Sequence, residues 1–284
     1  MAKKVALVLS GGGGKGAFQV GAEKYLREEK GYRWNVISGV SIGAINGAFL
    51  AMGAYARLEE IWNSVTPQMV FGKRIKLRAA AGILRGRPSL FNLDGMDALL
   101  QELDPDKMTT PLIVGAVSLV TGEFIPFRST HPDFRNALRA SAALPLIFPP
   151  VDVSEHHPAM VDGGTRNLTP LGTVLADEPD EIVVINCSSR AALKVEAAPK
   201  SAIAISQRAF EIAMHQIFTN DVGKFDRMNR LVAQATAQGA VLRNNDGRPF
   251  KRYPLTIIEP DVRLGETTDF SRAQVRRALE AGWE

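Results

Sequence analysis

Ser41 is the first residue of this sequence whose surroundings suggest chemistry. It sits in Gly39-Val40-Ser41-Ile42-Gly43, where the short apolar run Val36-Ile37 gives way to Ala44, Gly47, Ala48 and Ala51 at helical spacing. A serine with a glycine two residues to either side, at a strand-to-helix turn, has the nucleophile-elbow pattern. The turn holds the serine in a strained conformation and leaves no room for side chains at Gly39 and Gly43. The hydroxyl then projects above the sheet, and the Ile42 amide at the helix start faces any developing oxyanion.

A serine at neutral pH needs a proton acceptor. The four histidines are His131, His156, His157 and His215. His215 falls inside a helical pattern and His156-His157 in a proline turn. Asp162 is the more suggestive group, because it follows the apolar pair Met160-Val161 and precedes Gly163-Gly164. A third feature is Ser10-Gly11-Gly12-Gly13-Gly14-Lys15-Gly16, directly after the apolar run Val5–Leu9. Bare amides at a helix N-terminus hold anions. The loop satisfies the GxGxxG spacing of dinucleotide sites, but the second strand ends in Ser38-Gly39-Val40-Ser41, without the expected carboxylate. The phosphate-loop pattern fails at Gly16, where Ser or Thr should follow Lys15. An oxyanion hole above Ser41 fits better, with Lys15 adding positive field or fixing the loop.

The elements that must position these groups follow from the pattern. Val5–Leu9 reads as a strand buried on both faces, followed by the glycine loop and a helix stopped at Gly31. A second strand and the elbow complete a βαβα opening, which predicts an α/β fold with a parallel sheet. Residues 111–120 and 124–127 read as strands joined by a turn at Thr121-Gly122-Glu123. A helix is expected over 134–141, and a proline-stiffened cavity wall over 142–150. Asn92 is a candidate cap for a helix over 96–103. Strands are expected over 182–186 and 253–259. Residues 204–238 read as one long or broken helix, with Asn220-Asp221-Val222-Gly223 marking the place for a bend. Ser271 caps a closing helix. No repeat, low-complexity tract or linker interrupts the chain, so residues 1–284 read as a single domain.

Composition narrows the function classes. The 284 residues are 45% hydrophobic and 23% charged, with a formal net charge of +4, which gives nucleic-acid binding no support. One cysteine excludes an intramolecular disulfide and a cysteine zinc cluster. The histidines lack metal-site spacing, and neither a metal nor a cofactor is expected. Lys73, Arg74, Lys76, Arg78, Arg85 and Arg87 lie in a stretch without Asp or Glu. Residues 73–87 therefore read either as a solvated cover or as a peripheral contact with anionic lipid. No apolar run reaches the ~20 residues of a membrane span, and Val5–Leu9 is too short for a signal-peptide core. Cytoplasmic residence, with peripheral membrane contact, is the expectation; a specialised export route would leave no mark in the sequence.

Taken together, the ordered segments resemble the patatin-like phospholipase family. The glycine-rich oxyanion motif matches Gly11–Gly16, the nucleophile motif matches Gly39–Gly43, and the DG[AG] motif matches Asp162-Gly163-Gly164. The segment Ala140–Pro150 resembles the one that precedes the aspartate in that family. The likeness is strong over about residues 4–175. It implies a three-layer α/β/α sandwich with a mostly parallel sheet, and a hydrolase cleaving lipid acyl esters through an acyl-enzyme. It further implies a dyad of Ser41 as nucleophile and Asp162 as base, with Gly12 to Gly14 as oxyanion donors. Lys15 stands where arginine is frequent, keeping the charge without the planar fork. The competing readings are a soluble-ester hydrolase with a His215 triad, a nucleotide-binding protein using Gly11–Gly16, and a non-catalytic lipid-binding protein.

Overall fold

A computed structural model describes residues 3–72, 89–190, 194–195 and 198–284. The basic stretch 73–87 lies outside the described residues. The opening follows the expected order: β1 (Val5–Leu9), a 3-10 turn (Gly13–Gly16), α1 (Ala17–Glu28), β2 (Val36–Gly39) and α2 (Ile42–Ala51). Next come α3 (Tyr55–Ser64), α4 (Pro67–Phe71), α5 (Asp94–Leu100), β3 (Leu112–Ser118), β4 (Phe124–Arg128) and α6 (Phe134–Ser141). The chain closes with β5 (Met160–Asp162), β6 (Glu181–Ile185), α7 (Ala202–Ala237), β7 (Leu255–Ile258) and α8 (Arg272–Trp283).

The strands form one sheet in the order β4-β3-β2-β1-β6-β7, with β5 joining β3. All neighbouring pairs are parallel except β3–β4 and β3–β5. Alternation along the central strands divides the core into two layers. Val5, Leu7 and Leu9 of β1 join Val183 and Ile185 of β6 in the cluster that includes residues of α1, α2, α3 and α8. Ala6, Val8, Ile182 and Val184 face the opposite way, onto Phe218 and Val222 of α7. The fold is therefore α/β, with helices on both faces of a mostly parallel sheet.

One detail of the pairing brings the candidate site together. β4 runs along one edge of β3 from Ile113 to Val117. The other edge is shared: β2 pairs with Leu112 to Val114, and β5 with Ala116 to Ser118. β2 runs parallel to β3 and β5 antiparallel, so their C-terminal ends point at each other. Gly39 sits opposite Val114 and Asp162 opposite Ala116. Two residues of β3, roughly 7 Å, separate the levels at which the elbow and the aspartate leave the sheet.

A buried polar chain ties the glycine loop to the elbow helix. Asn46 Nδ2 donates to Gly16 O at 3.0 Å and to Gln19 Oε1 at 2.9 Å, while Trp62 Nε1 donates to Asn46 Oδ1 at 2.9 Å. Gln19 Nε2 donates to Ser10 O at 2.8 Å and Ile185 O at 3.2 Å, reaching the ends of β1 and β6.

Two local expectations are corrected. Asn92 does not cap α5: Leu93 holds the cap position, and the Asn92 amide donates to the Asp94 carboxylate. No break divides the long helix at Asn220-Asp221-Val222-Gly223, because α7 runs unbroken from Ala202 to Ala237. Gly223 costs helix propensity without interrupting the helix, and Phe218 and Val222 are buried against the sheet.

The Asn46 chain generates a stability prediction. Asn46→Leu leaves Trp62 Nε1 and Gln19 Oε1 without their partner, and each stranded buried group costs about 1–3 kcal/mol. Urea unfolding should show a loss of about 3 kcal/mol or more; a loss below about 1 kcal/mol would show that the network contributes little.

Candidate active site

Ser41 has φ 57° and ψ −130°, in the positive-φ region that side chains other than glycine's rarely adopt. The turn is locked from both sides. A Cβ at Gly39 would stand 2.4 Å from Gly43 O, and one at Gly43 would stand 2.5 Å from Leu9 O. The elbow is thus pressed against its own helix start and against the end of β1. The Ser41 amide is shared between Ser141 O at 3.0 Å and Ser141 Oγ at 3.2 Å. The Ile42 amide, first of α2, has no acceptor among the described residues.

Asp162 is completely buried at the end of β5. Its backbone amide donates to Ala143 O at 3.0 Å, and its Oδ1 accepts from Gly164 N at 2.8 Å. Oδ2 has no hydrogen-bond partner. Burial pushes the carboxyl up to about 7, opposed by the nearby Ser41 hydroxyl and by the Gly164 amide. The hydroxyl is near enough to act on the carboxyl, although the pair lies outside the geometry of a formed hydrogen bond.

The glycine loop offers fewer free donors than its composition suggests. The Gly11 amide donates to Leu168 O at 3.2 Å, that of Gly14 to Thr267 O at 2.9 Å, and that of Lys15 to Gly12 O at 3.3 Å. Gly16 lies within the 3-10 turn. Only Gly12 and Gly13 keep amides without an acceptor among the described residues. Gly14, expected among the oxyanion donors, is therefore occupied. Lys15 is half-buried, and its Nζ donates to Ser188 Oγ at 2.9 Å beyond the end of β6. Burial holds its ammonium below the ordinary lysine value, opposed by the Glu211 carboxylate.

None of the histidines hydrogen-bonds to Ser41 or Asp162. His215 Nε2 lies 3.3 Å from Ser189 O. His131 and His157 pack edge-on against Phe127, and His131 Nδ1 accepts from Asp133 N.

Two cavities meet at Ser41. The larger, of about 420 Å³, is lined mainly by apolar groups that include Ile45, Phe49, Ile61, Phe71, Met96 and Phe148. The smaller, of about 50 Å³, contains Gly11, Gly12, Lys15, Ser41 and Asp162 together with Glu211, His215 and Thr267. The 142–150 segment does line the larger cavity, through Ala142, Leu144, Ile147 and Phe148. Sequence reasoning missed Thr267 and Phe270, which reach the site from beyond β7. A Cβ on Gly13 would stand 2.0 Å from Thr267 O, and one on Gly14 would stand 2.0 Å from Asp269 O. Gln274 of α8 pins this loop, donating to Glu266 O and Asp269 O and accepting from Glu266 N. No motif marks these positions. Among the described residues no group of His, Cys, Asp and Glu could hold a metal ion.

The family model for patatin-like phospholipases matches residues 7–175. The chain belongs to the patatin-like phospholipase family. An uncharacterized NTE family protein of Mycobacterium tuberculosis is 27% identical over 183 residues, covering 64% of this chain and 49% of that protein. Mouse patatin-like phospholipase domain-containing protein 7 is 28% identical over 193 residues, covering 66% of this chain and 14% of that protein. The chain thus spans about half the length of the mycobacterial relative and much less of the mouse one. Among solved structures, VipD from Legionella pneumophila aligns with TM-score 0.47 at 14% identity, over 99% of this chain and 65% of VipD. Human GIVD cytosolic phospholipase A2 aligns with TM-score 0.45 at 13% identity, over 99% of this chain and 57% of that one. Family membership supports lipid hydrolysis. No helix among the described residues is long and apolar enough to cross a membrane.

The buried carboxyl generates a stability prediction with a definite sign. The folded-state pKa of Asp162, about 7, lies above the unfolded value near 3.8. Its contribution is most favourable below about pH 4 and is lost as pH rises through about 7. Asp162→Asn removes the ionisation. Its melting temperature should match the wild type's near pH 4, rise above it progressively, and keep a constant advantage above pH 8. A difference independent of pH would show that the carboxyl is not perturbed as described.

Proposed function

We propose that this patatin-like protein is a serine lipid acyl hydrolase working through a Ser41–Asp162 dyad. The observation that carries this reading is the position of Ser41. The strained serine stands where a large apolar cavity meets a small one that holds Lys15, Asp162 and Glu211, beside a buried carboxylate with an unpartnered oxygen. A cavity of about 420 Å³ falls within the roughly 300–1,000 Å³ of ligand pockets, and its apolar walls suit an acyl chain.

In this mechanism the ester carbonyl lies over Ser41. Asp162 Oδ2 takes the hydroxyl proton as Ser41 Oγ bonds to the carbonyl carbon. The carbonyl oxygen becomes an oxyanion facing the amides of Gly12 and Gly13, with the Ile42 amide as a further donor. The bond to the leaving alcohol then breaks, and Asp162 returns the proton to the alcohol oxygen. Water attacks the acyl-enzyme by the same route in reverse, giving Asp162 a proton that is passed back to Ser41 as the fatty acid leaves. A base near pKa 7 is suited to neutral pH, so burial of an aspartate does here what an imidazole does in a triad. Neither metal nor cofactor enters this mechanism.

The substrate in this reading is a lipid ester presented at a surface. Leu146 has φ 71° and is 69% exposed. Left-handed backbone costs a leucine about 1–2 kcal/mol, and nothing in the core repays that cost. Its neighbours Leu144 and Ile147 line the apolar cavity, and Met69, also a lining residue, is 49% exposed. The cavity wall therefore continues onto the outside of the protein, where an apolar edge would meet lipid.

Four outcomes are expected. A fluorophosphonate should label Ser41 and no other residue, as read by peptide mass mapping; a label on another serine would remove Ser41 from the nucleophile role. Asp162→Asn should lower turnover of acyl esters by about 10²–10⁴-fold. Replacing His131, His156, His157 and His215 together by Gln should leave most activity in a protein that still folds. Loss equal to that of Ser41→Ala in the folded four-histidine variant would favour the triad. Leu146→Gly should keep or raise the melting temperature, weaken hydrolysis of vesicle-borne substrate, and leave a soluble short-chain ester unaffected. Unchanged vesicle hydrolysis would count against surface docking at Leu146.

A further inference from the structure

Asp221 is a charged group on the middle of α7, in the stretch where a bend was expected, and the reaction described above does not use it. Its Oδ2 accepts from Leu168 N at 2.9 Å and from Thr169 N at 3.2 Å. In the orientation that satisfies its neighbours, the Asn167 amide donates to the same oxygen at 3.3 Å and to Thr169 O at 3.1 Å. One carboxylate oxygen thus gathers three donors from consecutive residues. That segment is joined to both halves of the site. Asn167 N donates to Gly163 O at 3.0 Å, immediately after Asp162, and Leu168 O accepts from Gly11 N at 3.2 Å. The Leu168 side chain closes the contact: a Cβ on Gly11 would stand 2.7 Å from Leu168 Cδ1 and 3.2 Å from Ser41 Cβ.

Gly11 immediately precedes Gly12 and Gly13, whose amides are the free donors of the loop. The position of those amides depends on where the Leu168 carbonyl holds Gly11, and Asp221 fixes the Leu168 backbone from its other side. A displacement of about 1 Å at an oriented site costs on the order of 10²-fold in rate. A carboxylate holding three donors can therefore matter to catalysis without touching substrate. We propose that Asp221 is a positioning residue for the oxyanion hole, holding residues 167–169 so that the Gly12 and Gly13 amides face the carbonyl above Ser41. The proposal rests on the acyl-hydrolase reading of the site.

Protonation state bears on this role. Burial pushes the Asp221 carboxyl up to about 6, opposed by the Thr169 and Leu168 amides and by Lys224 on its own helix. From the 167–169 segment it is faced by amides alone. A neutral acid is a weaker acceptor for those amides than a carboxylate, so the hold slackens as pH falls through about 6.

The test compares Asp221→Ala and Asp221→Asn with the wild type on a soluble aryl ester. Two inhibitors accompany the ester. An alkyl trifluoromethyl ketone adds to Ser41 and forms an oxyanion, whereas a long-chain alcohol fills the apolar cavity and forms none. Asp221→Ala should lower kcat by about 10²-fold with KM changed less than about twofold. It should weaken the ketone in proportion and leave the alcohol unaffected. Asp221→Asn, which keeps a neutral acceptor of the same shape, should recover part of the loss. The acidic limb of kcat/KM in the wild type should steepen below pH 6 as a second group titrates beneath Asp162, and in Asp221→Asn it should keep a slope of one. Ketone affinity and kcat within twofold of the wild type in a folded Asp221→Ala protein would overturn the proposal, as would equal losses for ketone and alcohol. Where Asp221→Ala does not fold, an acidic limb in Asp221→Asn as steep as the wild type's overturns it. A wild type without Ser41-dependent turnover overturns the acyl-hydrolase reading and this proposal with it.

Discussion

The arrangement depends on a carboxylate that has been taken out of water. Asp162 is wholly buried, has one oxygen held by Gly164 N and the other unpartnered, and so is driven toward a pKa of about 7. An aspartate in solution, near pKa 3.9, is too weak a base to draw a proton from serine. The position that raises the Asp162 pKa is costly to the fold, because no cation among the described residues forms an ion pair with it. The sheet creates that position by letting β2 and β5 share one edge of β3. Were β5 one register step along β3, Asp162 would change faces and no longer meet the elbow.

In the proposed reaction the second requirement is a place for the charge that develops on the carbonyl oxygen. Here the economy of backbone hydrogen bonds decides which donors are available. Six residues from Gly11 to Gly16 look equivalent as a string, yet Leu168 O, Thr267 O and Gly12 O occupy the amides of Gly11, Gly14 and Lys15. Those three bonds fix the loop, and the amides of Gly12 and Gly13 are left without an acceptor among the described residues. Fixed dipoles that need not reorganise stabilise a developing oxyanion best. The bonded glycines and the free ones therefore do complementary work. The large apolar cavity adds the third element, a low-dielectric surrounding in which each of these interactions is stronger.

How much of this could be read from the sequence follows from which interactions are local. Val5–Leu9, the elbow at Ser41 and the Ser271 cap were legible because each is encoded within a few neighbouring residues. Asp162 was legible through its DGG turn and its place after an apolar pair. Occupancy of the Gly14 amide was not, since its acceptor, Thr267, lies far along the chain. Asn92 failed as a cap because Leu93 already takes the cap position and leaves the Asn92 amide to Asp94. The break that Asn220–Gly223 suggested failed for a tertiary reason: Phe218 and Val222 are buried against the sheet and carry the helix through a residue of poor propensity.

The last of these misreadings bears on how the molecule is built. Asn220-Asp221 looked like a local punctuation mark, yet the Asp221 side chain is spent on a segment some fifty residues earlier. The same division recurs elsewhere. Ser41, Asp162 and the glycine loop all lie within residues 7–175, the stretch matched by the family model. The groups outside that stretch that bond to the loop and its supports, Thr267, Gln274 and Asp221, have no motif of their own. Thr267 acts through its backbone carbonyl, whereas Gln274 and Asp221 set one side chain against backbone groups far away in the sequence. Neither kind of contact leaves a local pattern, so the residues at the site are legible while the parts that hold them are not. In such a molecule the rate would be governed by how rigidly unmarked segments support a marked loop, which is why likeness of motif identifies the chemistry more readily than it identifies the substrate.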